Sequence, residues 1–310
     1  MIGLDIFLQQ IINGLVQGSV YALVALGYTM VYGILGLINF AHGEVVMVGA
    51  MVALSAIMLL GNTGLPPPLV LLAGLAAASI ACMALGYAIE RIAYRPLRDA
   101  PRLAPLITAI GVSIVLQNLA MLCWGREYHP FPALLPGGTH TLGGAVINEV
   151  QIIIVLAALA VMAGLLALVH RTRLGRAMRA VAENPSAAAL MGVDINAVIS
   201  VTFMTGSALA ALAGVMVSAN YGIVHYYMGA ILGLKAFTAA VLGGIGNLRG
   251  AMLGGVLLGL IESLGAGYIG DLSGGFLGSH YQDVFAFFVL IAVLVFRPSG
   301  LLGERVAERA

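Results

Sequence analysis

The chain has 310 residues, 61% hydrophobic and only 9% charged, with a formal net charge of +1. A soluble domain carries about 25% charged residues, so the charge here is too sparse to cover a water-facing surface, and lipid must act as solvent. A balance this near neutrality gives no footprint for nucleic acid, and no nucleic-acid partner is expected.

No Lys or Arg precedes the first apolar run, so it lacks the basic region of a signal peptide and is expected to be a mature span. A helix needs about 20 apolar residues to cross a hydrocarbon core. Long spans are predicted near 11–32, 38–60, 69–90, 105–124, 150–169, 196–219, 250–269 and 283–297. A shorter apolar segment, 234–247, is broken by Gly243, Gly244 and Gly246. The runs are continuous rather than alternating, which excludes barrel strands. The expected fold is all-α: a polytopic helical membrane protein of about 8–9 segments, in one transmembrane domain over 1–310. Pro66–Pro68 is expected as a stiff turn. Cys82 and Cys123 lie inside apolar runs and are expected as buried free thiols.

Arginines orient the spans. The 91–104 loop holds Arg91, Arg95, Arg98 and Arg102. The 170–195 loop holds Arg171, Arg173, Arg176 and Arg179, and the tail holds Arg297, Arg305 and Arg309. These segments are expected in the cytoplasm and the 125–149 loop outside. Parity then requires 234–247 to cross, which puts Arg249 inside, the N-terminus outside and the C-terminus inside. Small residues at four-residue spacing, Gly14/Gly18/Ala22, Gly206/Ala210/Gly214 and Gly250/Gly254, are expected to face other helices.

Enzyme signals are missing. The only lysine, Lys235, is followed by Ala236, which rules out a Gly-Lys-Ser/Thr phosphate loop. HExxH, CxxC and GxSxG do not occur, and a Ser-x-x-Lys pair fails because position 232 is Leu. No catalytic residue, metal site or bound cofactor is expected in this chain, so any ATP-driven work needs a partner.

Ionisable groups inside a span cost about 2.5–3.5 kcal/mol at mid-helix on insertion scales and are functional candidates by default. Asn39, His42, Gly43 and Glu44 open the second span. Asn39 is placed to cap that helix and Glu44 to sit at its positive end; equally, this break lines a polar passage. Glu262 lies inside the 250–269 span, as a structural acid or a pathway residue. Gly243, Gly244 and Gly246 form a flexible turn rather than a nucleotide loop, since no strand and no lysine accompany them. In the 170–195 loop, Asn184 caps a helix, Pro185 takes its first position and Gly192 ends it. Ala187, Ala188 and Ala189 are expected on its exposed surface. A helix of two turns is unstable alone in water and needs a dock.

These residues resemble a known family. Gly27-Tyr28-Thr29-Met30-Val31-Tyr32-Gly33, Ile38-Asn39-Phe40-Ala41-His42-Gly43-Glu44, Glu90-Arg91-Ile92-Ala93-Tyr94-Arg95-Pro96, Ile110-Gly111 through Gln117-Asn118, and Lys235-Ala236-Phe237-Thr238 through Gly243-Gly244-Ile245-Gly246 occur in the order found in the H-type permease of bacterial branched-chain amino acid ABC importers. The resemblance covers nearly the whole chain. It implies an importer permease of the larger many-spanned class in a bacterial inner membrane. It also implies a second, M-type permease, two cytoplasmic ATPases that hold ATP and Mg, and a periplasmic binding protein. Gly175, Arg176, Arg179, Glu183, Asn184, Pro185, Ala187, Ala188 and Gly192 match the ATPase-coupling segment, although the usual Glu-Ala-Ala-type core is only loosely kept. Asn39, His42, Gly43, Glu44, Gly243, Gly244 and Gly246 are the expected pathway residues. Competing expectations are the same machinery importing urea, short amides or other amino acids, an ion-driven secondary transporter or channel, and an intramembrane enzyme using His42 and Glu44.

Overall fold

The computed structural model describes residues 4–98, 100–101, 103–135, 137–272 and 281–303. Arg102, Arg305 and Arg309 lie outside them.

The helices are α1 (Leu4–Leu35), α2 (His42–Leu60), α3 (Pro67–Ile89), α4 (Leu103–Trp124), α5 (Glu149–Arg171), α6 (Arg173–Glu183), α7 (Pro185–Leu190), α8 (Ile195–Tyr221), α9 (Met228–Gly243), α10 (Leu248–Leu272) and α11 (Gln282–Phe296). A π-helical turn, Glu90–Tyr94, and a 3₁₀ turn, Arg95–Leu97, extend α3. Among the described residues, seven helices are long and apolar enough to cross a membrane, and α9 and the apolar part of α11 are shorter. The helical polytopic fold and its span positions therefore follow the hydropathy. Pro66 is the residue before α3, and Pro67 and Pro68 fall in its first turn, where a missing N–H costs nothing.

Two short sheets depart from the all-α expectation. β1 (His129–Pro130) pairs antiparallel with β4 (Ile223–Val224), and β2 (Thr139–Leu142) forms a hairpin with β3 (Ala145–Asn148). Both lie in loops, where hydropathy says nothing about backbone pairing.

The helix ends sort onto two faces. On one, the Gln9 side chain donates to Val146 O at 3.0 Å and accepts from Val146 N at 2.8 Å, which fixes the hairpin to the start of α1. Ser263 Oγ donates to Gln10 O at 2.7 Å on the same side. On the other, Leu301 N donates to Leu242 O and Leu302 N to Gly243 O, both at 2.9 Å, and Asn247 Nδ2 donates to Leu302 O at 2.9 Å. The end of α9, the start of α10 and the segment after α11 thus share one face, as parity requires. Helix α9 begins beside β4 and ends at this second face. Its 16 residues span about 24 Å, just under the roughly 30 Å of a hydrocarbon core.

The core is built on close backbone approach. A Cβ at Gly14 would stand 2.8 Å from Leu260 Cα and one at Gly18 2.7 Å from Val256 Cα, so α1 and α10 touch along the predicted small-residue face. Gly206 lies against Gly27, Gly214 against Val46, and Gly254 against Ala239. All three small-residue faces meet another helix. Cys82 is buried, whereas Cys123 is exposed on α4, contrary to expectation. Only three residues of α4 are buried, so most of its surface faces outward from the bundle.

Gly18→Leu is expected to wedge α1 from α10 and destabilise the protein by at least the roughly 1–3 kcal/mol of an overpacked core. Gly111→Ala, where an added Cβ meets nothing within 4 Å, is expected to be neutral or stabilising by up to about 1 kcal/mol. Melting midpoints in detergent check both.

Candidate functional site

The first group of predicted residues is assembled by a re-entrant loop. Helix α1 ends at Leu35, yet the His42 ring packs edge-on against Tyr28, with centroids 4.9 Å apart. Tyr28 is seven residues before the end of α1, about 10 Å along its axis. The 36–41 segment therefore turns back into the protein, and α2 starts at depth. Asn39 does not cap α2. Ala41 holds that position, and Asn39 Oδ1 accepts from Ala41 N at 3.2 Å and from Tyr94 OH at 3.1 Å. The amide satisfies the irregular turn, as non-helical backbone away from water demands. Its 4% exposure places it inside the protein.

Gly43 and Glu44 face the start of α9. A Cβ at Gly43 would stand 2.8 Å from Gly233 Cα, so the two helices meet on bare backbone. Glu44 Oε1 accepts from Ser113 Oγ of α4 at 3.2 Å. Its Oε2 is buried without a hydrogen-bond partner among the described residues, as is His42 Nε2. The carboxyl group sits in the first turn of α2 and beside Gly229 in the first turn of α9. Two helix N-termini thus supply the positive potential that favours an anion there.

The glycine group is placed elsewhere. Gly243 packs against Gly250, and Gly244, at φ +108°, against Gly303. Gly246 lies beside Tyr32 and Gly33 at the end of α1. The structure does not bring Gly243, Gly244 and Gly246 together with His42 and Glu44; it seats Gly243 and Gly244 under the segment that follows α11 and Gly246 at the end of α1.

The loop after α5 folds as two short helices. Thr172 Oγ1 accepts from Gly175 N at 3.0 Å and caps α6; Asn184 Oδ1 accepts from Ala187 N at 3.0 Å and caps α7. Pro185 is the first residue of α7, and Gly192, at φ +83°, follows its end as a left-handed stop. Gly175 is buried against the carbonyls of Leu168 and Val169, where a Cβ has no room. Arg179 donates to Val169 O and so caps the C-terminus of α5. Arg176, Glu183 and Ala187 are exposed. Ala188 is not on show: it is 4% exposed and turned inward. Ala189 is exposed as expected, and beyond it the larger apolar Leu190 and Met191 are exposed at 89% and 85%. The alanine run hid the inward turn of Ala188 because three identical residues carry no amphipathic signal.

Two charge clusters escaped prediction. Glu90, fully buried, accepts from Arg95 Nε at 3.1 Å and Nη2 at 2.9 Å, from Ser200 Oγ at 2.8 Å, and from Arg98. Arg98 also donates to Asn196 Oδ1 at 2.7 Å. Arg95 and Arg98, counted only as side markers, in fact tie the end of α3 to the start of α8. In the second cluster, Lys235 Nζ lies 3.1 Å from Glu262 Oε2 and 2.7 Å from Asp283 Oδ1. Tyr21 OH donates to Glu262 Oε2 at 2.8 Å, and Gln17 Nε2 lies 3.2 Å from the same oxygen. A lone lysine in one span and a lone acid in the next was the available signal. No cluster of three metal-ligating side chains occurs among the described residues.

Full-length likeness decides the family. The model for "Branched-chain amino acid transport system / permease component" matches residues 10–294. The chain belongs to this family of membrane permeases. It is 51% identical, over 98% of both chains, to the high-affinity branched-chain amino acid transport system permease protein BraD of Pseudomonas aeruginosa. It is 44% identical to LivH of Escherichia coli K12, a permease protein of the same description, over 98% of this chain and 97% of that one. The autoinducer 2 import system permease protein LsrC of Escherichia coli is 33% identical over 62% of this chain. No solved structure matches.

Removing Glu90 leaves two arginines facing an empty acceptor. Glu90→Ala is expected to cost near the lower end of the roughly 3–5 kcal/mol of a broken buried pair, because the Arg95 side chain stays 31% exposed. Glu90→Gln, which keeps an acceptor for Ser200, is expected to cost less. Thermal unfolding of the purified variants reads the difference.

Proposed function

We propose that this chain is one of two permease subunits in an ATP-driven importer of branched-chain amino acids in a bacterial inner membrane. It forms a single transmembrane domain over 1–310 and half of an alternating-access pathway. The second permease, of the M type, supplies the other half. Two cytoplasmic ATPases hold ATP and Mg, this chain holds no cofactor, and a periplasmic binding protein delivers the substrate. The observation that carries this reading is the end-to-end likeness to BraD and LivH, both of which are named as high-affinity branched-chain amino acid permease proteins.

The arginine-rich loops set the α6–α7 face in the cytoplasm, with the N-terminus outside and the C-terminus inside. The capped α7 then offers Leu190 and Met191 to an ATPase groove. It is too short to stand alone, and its Asn184 cap and inward Ala188 fix it to the bundle as a lever. ATP binding moves this lever, and the spans move as bodies between outward and inward openings. Glu44 and His42 lie where the re-entrant loop meets α9, a junction of two helix starts held by glycine contact. That junction is the part of the pathway able to shift without breaking a helix.

Co-expression with the partner subunits, followed by leucine uptake into proteoliposomes, tests the whole reading. Uptake is expected to require internal ATP and external binding protein. Uptake by this chain alone, driven by an ion gradient, would overturn it. Leu190→Asp is expected to lower ATP-driven uptake at least tenfold by placing a charge in the groove. Activity at the wild-type level would remove α7 from the coupling role. For the pathway, Glu44→Gln is expected to lower uptake at least tenfold while the subunits still co-purify.

A further inference from the structure

The first face carries an opening that none of the residues above accounts for. A cavity of about 300 Å³ lies between the end of α8 and the start of α9, walled by Tyr128, His225, Met228, Ile231 and Leu232 among others. It is at the small end of the range for small-molecule sites. Tyr128 and His225 stack at its rim, with ring centroids 4.3 Å apart. A second cavity of about 30 Å³, room for roughly one water, is bounded by Gln17, Tyr21 and Asn220. The two cavities share Val217, Tyr221 and Leu232 as walls. Both linings are mostly apolar, and the smaller adds the polar Gln17 and Asn220 beside Val16 and Val20.

Charge lies behind the wall of the smaller cavity. Gln17 and Tyr21 wall the small cavity, and both are hydrogen-bonding partners of Glu262. Lys235 follows Met228, Ile231 and Leu232 at spacings of seven, four and three, so it lies on the same face of α9, one turn deeper. It is bonded to both Glu262 and Asp283. Among the described residues, one ammonium therefore serves two carboxyl groups, and the cluster is one cation short. The Asp283 side chain is 43% exposed, although its Oδ1, the oxygen that meets Lys235, is buried. Buried ionic groups in a span otherwise occur paired.

We propose that this vestibule and its charged floor form an entry subsite for a zwitterionic amino acid with an apolar side chain. The side chain occupies the space beside Ile231 and Leu232. The α-ammonium supplies the missing cation to Asp283 and Glu262, and the α-carboxylate takes Lys235 from Asp283. Exchanging an internal ion pair for two substrate pairs leaves no charge unpartnered, and it loosens α11 from α9 only when substrate is present. The subsite rests on the reading of this chain as a branched-chain amino acid importer.

The assembled complex, without its binding protein, tests the subsite directly. Ile231→Cys is placed in a Cys123→Ser background, and maleimide labelling is timed. Leucine is expected to slow labelling at least threefold. Isocaproate, which lacks the ammonium, and isoamylamine, which lacks the carboxylate, are expected to leave it unchanged. An unchanged rate with leucine, or equal protection by all three, overturns the subsite. In uptake assays Ile231→Trp is expected to lower leucine transport at least tenfold more than alanine transport; an equal loss for both marks a structural defect and overturns it as well. A wild-type complex that accumulates no branched-chain amino acid overturns the parent reading, whereas one that transports leucine but shows no protection at position 231 overturns the subsite alone.

Discussion

The contact of α1 with α10 through bare backbone is the constraint on which the rest of the bundle depends. Helix association in lipid has no hydrophobic drive and relies on dispersion and on hydrogen bonds across close-packed backbone. At Gly14 and Gly18 the two axes approach as near as peptide groups allow. That closeness puts Tyr21 and Gln17 of α1 within reach of Glu262 on α10, and through Glu262 of Lys235 on α9. A side chain at either glycine would move α10 outward and leave the lysine and the acid apart in apolar surroundings. The electrostatic cluster is thus a consequence of the glycine stripe.

The same logic explains why the re-entrant loop is tolerated. A chain that leaves helical geometry at 36–41 exposes N–H and C=O groups that lipid cannot satisfy. Here Asn39 and Tyr94 supply partners from within the protein, and the Tyr94 ring packs at a tilt against Phe203 of α8, with centroids 5.3 Å apart. The loop is held from behind by α3 and α8, both anchored at Glu90 and Ser200. The Glu90 cluster, although far from Glu44 in sequence, keeps the start of α2 at depth.

The spans were legible because hydropathy is summed over about 20 residues and single exceptions average out. The caps were legible because Asn184, Pro185 and Gly192 each answer a local backbone need. Side-chain pairing across elements was not. Arg95 and Arg98 read as side markers, since counting charge by loop ignores which acid they reach. Lys235 reads only as a lysine that makes no phosphate loop, and Glu262 as either a structural acid or a pathway residue; they explain each other only once α9 and α10 are adjacent. The 234–247 segment looks broken because it begins six residues inside α9 and runs past its end at Gly243 into the turn, whereas the helix begins at Met228. Ala187 and Ala189 face outward as expected, but Ala188 does not, because three identical residues differ only in direction, which composition does not encode.

The two charge clusters and the glycine contacts divide the labour of a moving bundle. An ion pair away from water holds its geometry stiffly, because separating the partners leaves a desolvated charge. A glycine interface resists overpacking but carries no directional bond, so helices can rotate against one another across it at little cost. Glu90 with its arginines binds α3 to α8 on the side that carries α6 and α7. Lys235 with its acids binds α9 to α10 and α11 from within the bundle. Between them, α2 and α9 meet at Gly43 and Gly233 with no ion pair among the described residues. In the coupling proposed for α7, motion would pass as rigid pieces to that junction, where Glu44 and His42 have polar atoms without a partner among the described residues. Those atoms are the ones whose hydrogen bonding has most to gain when the junction opens to water or substrate.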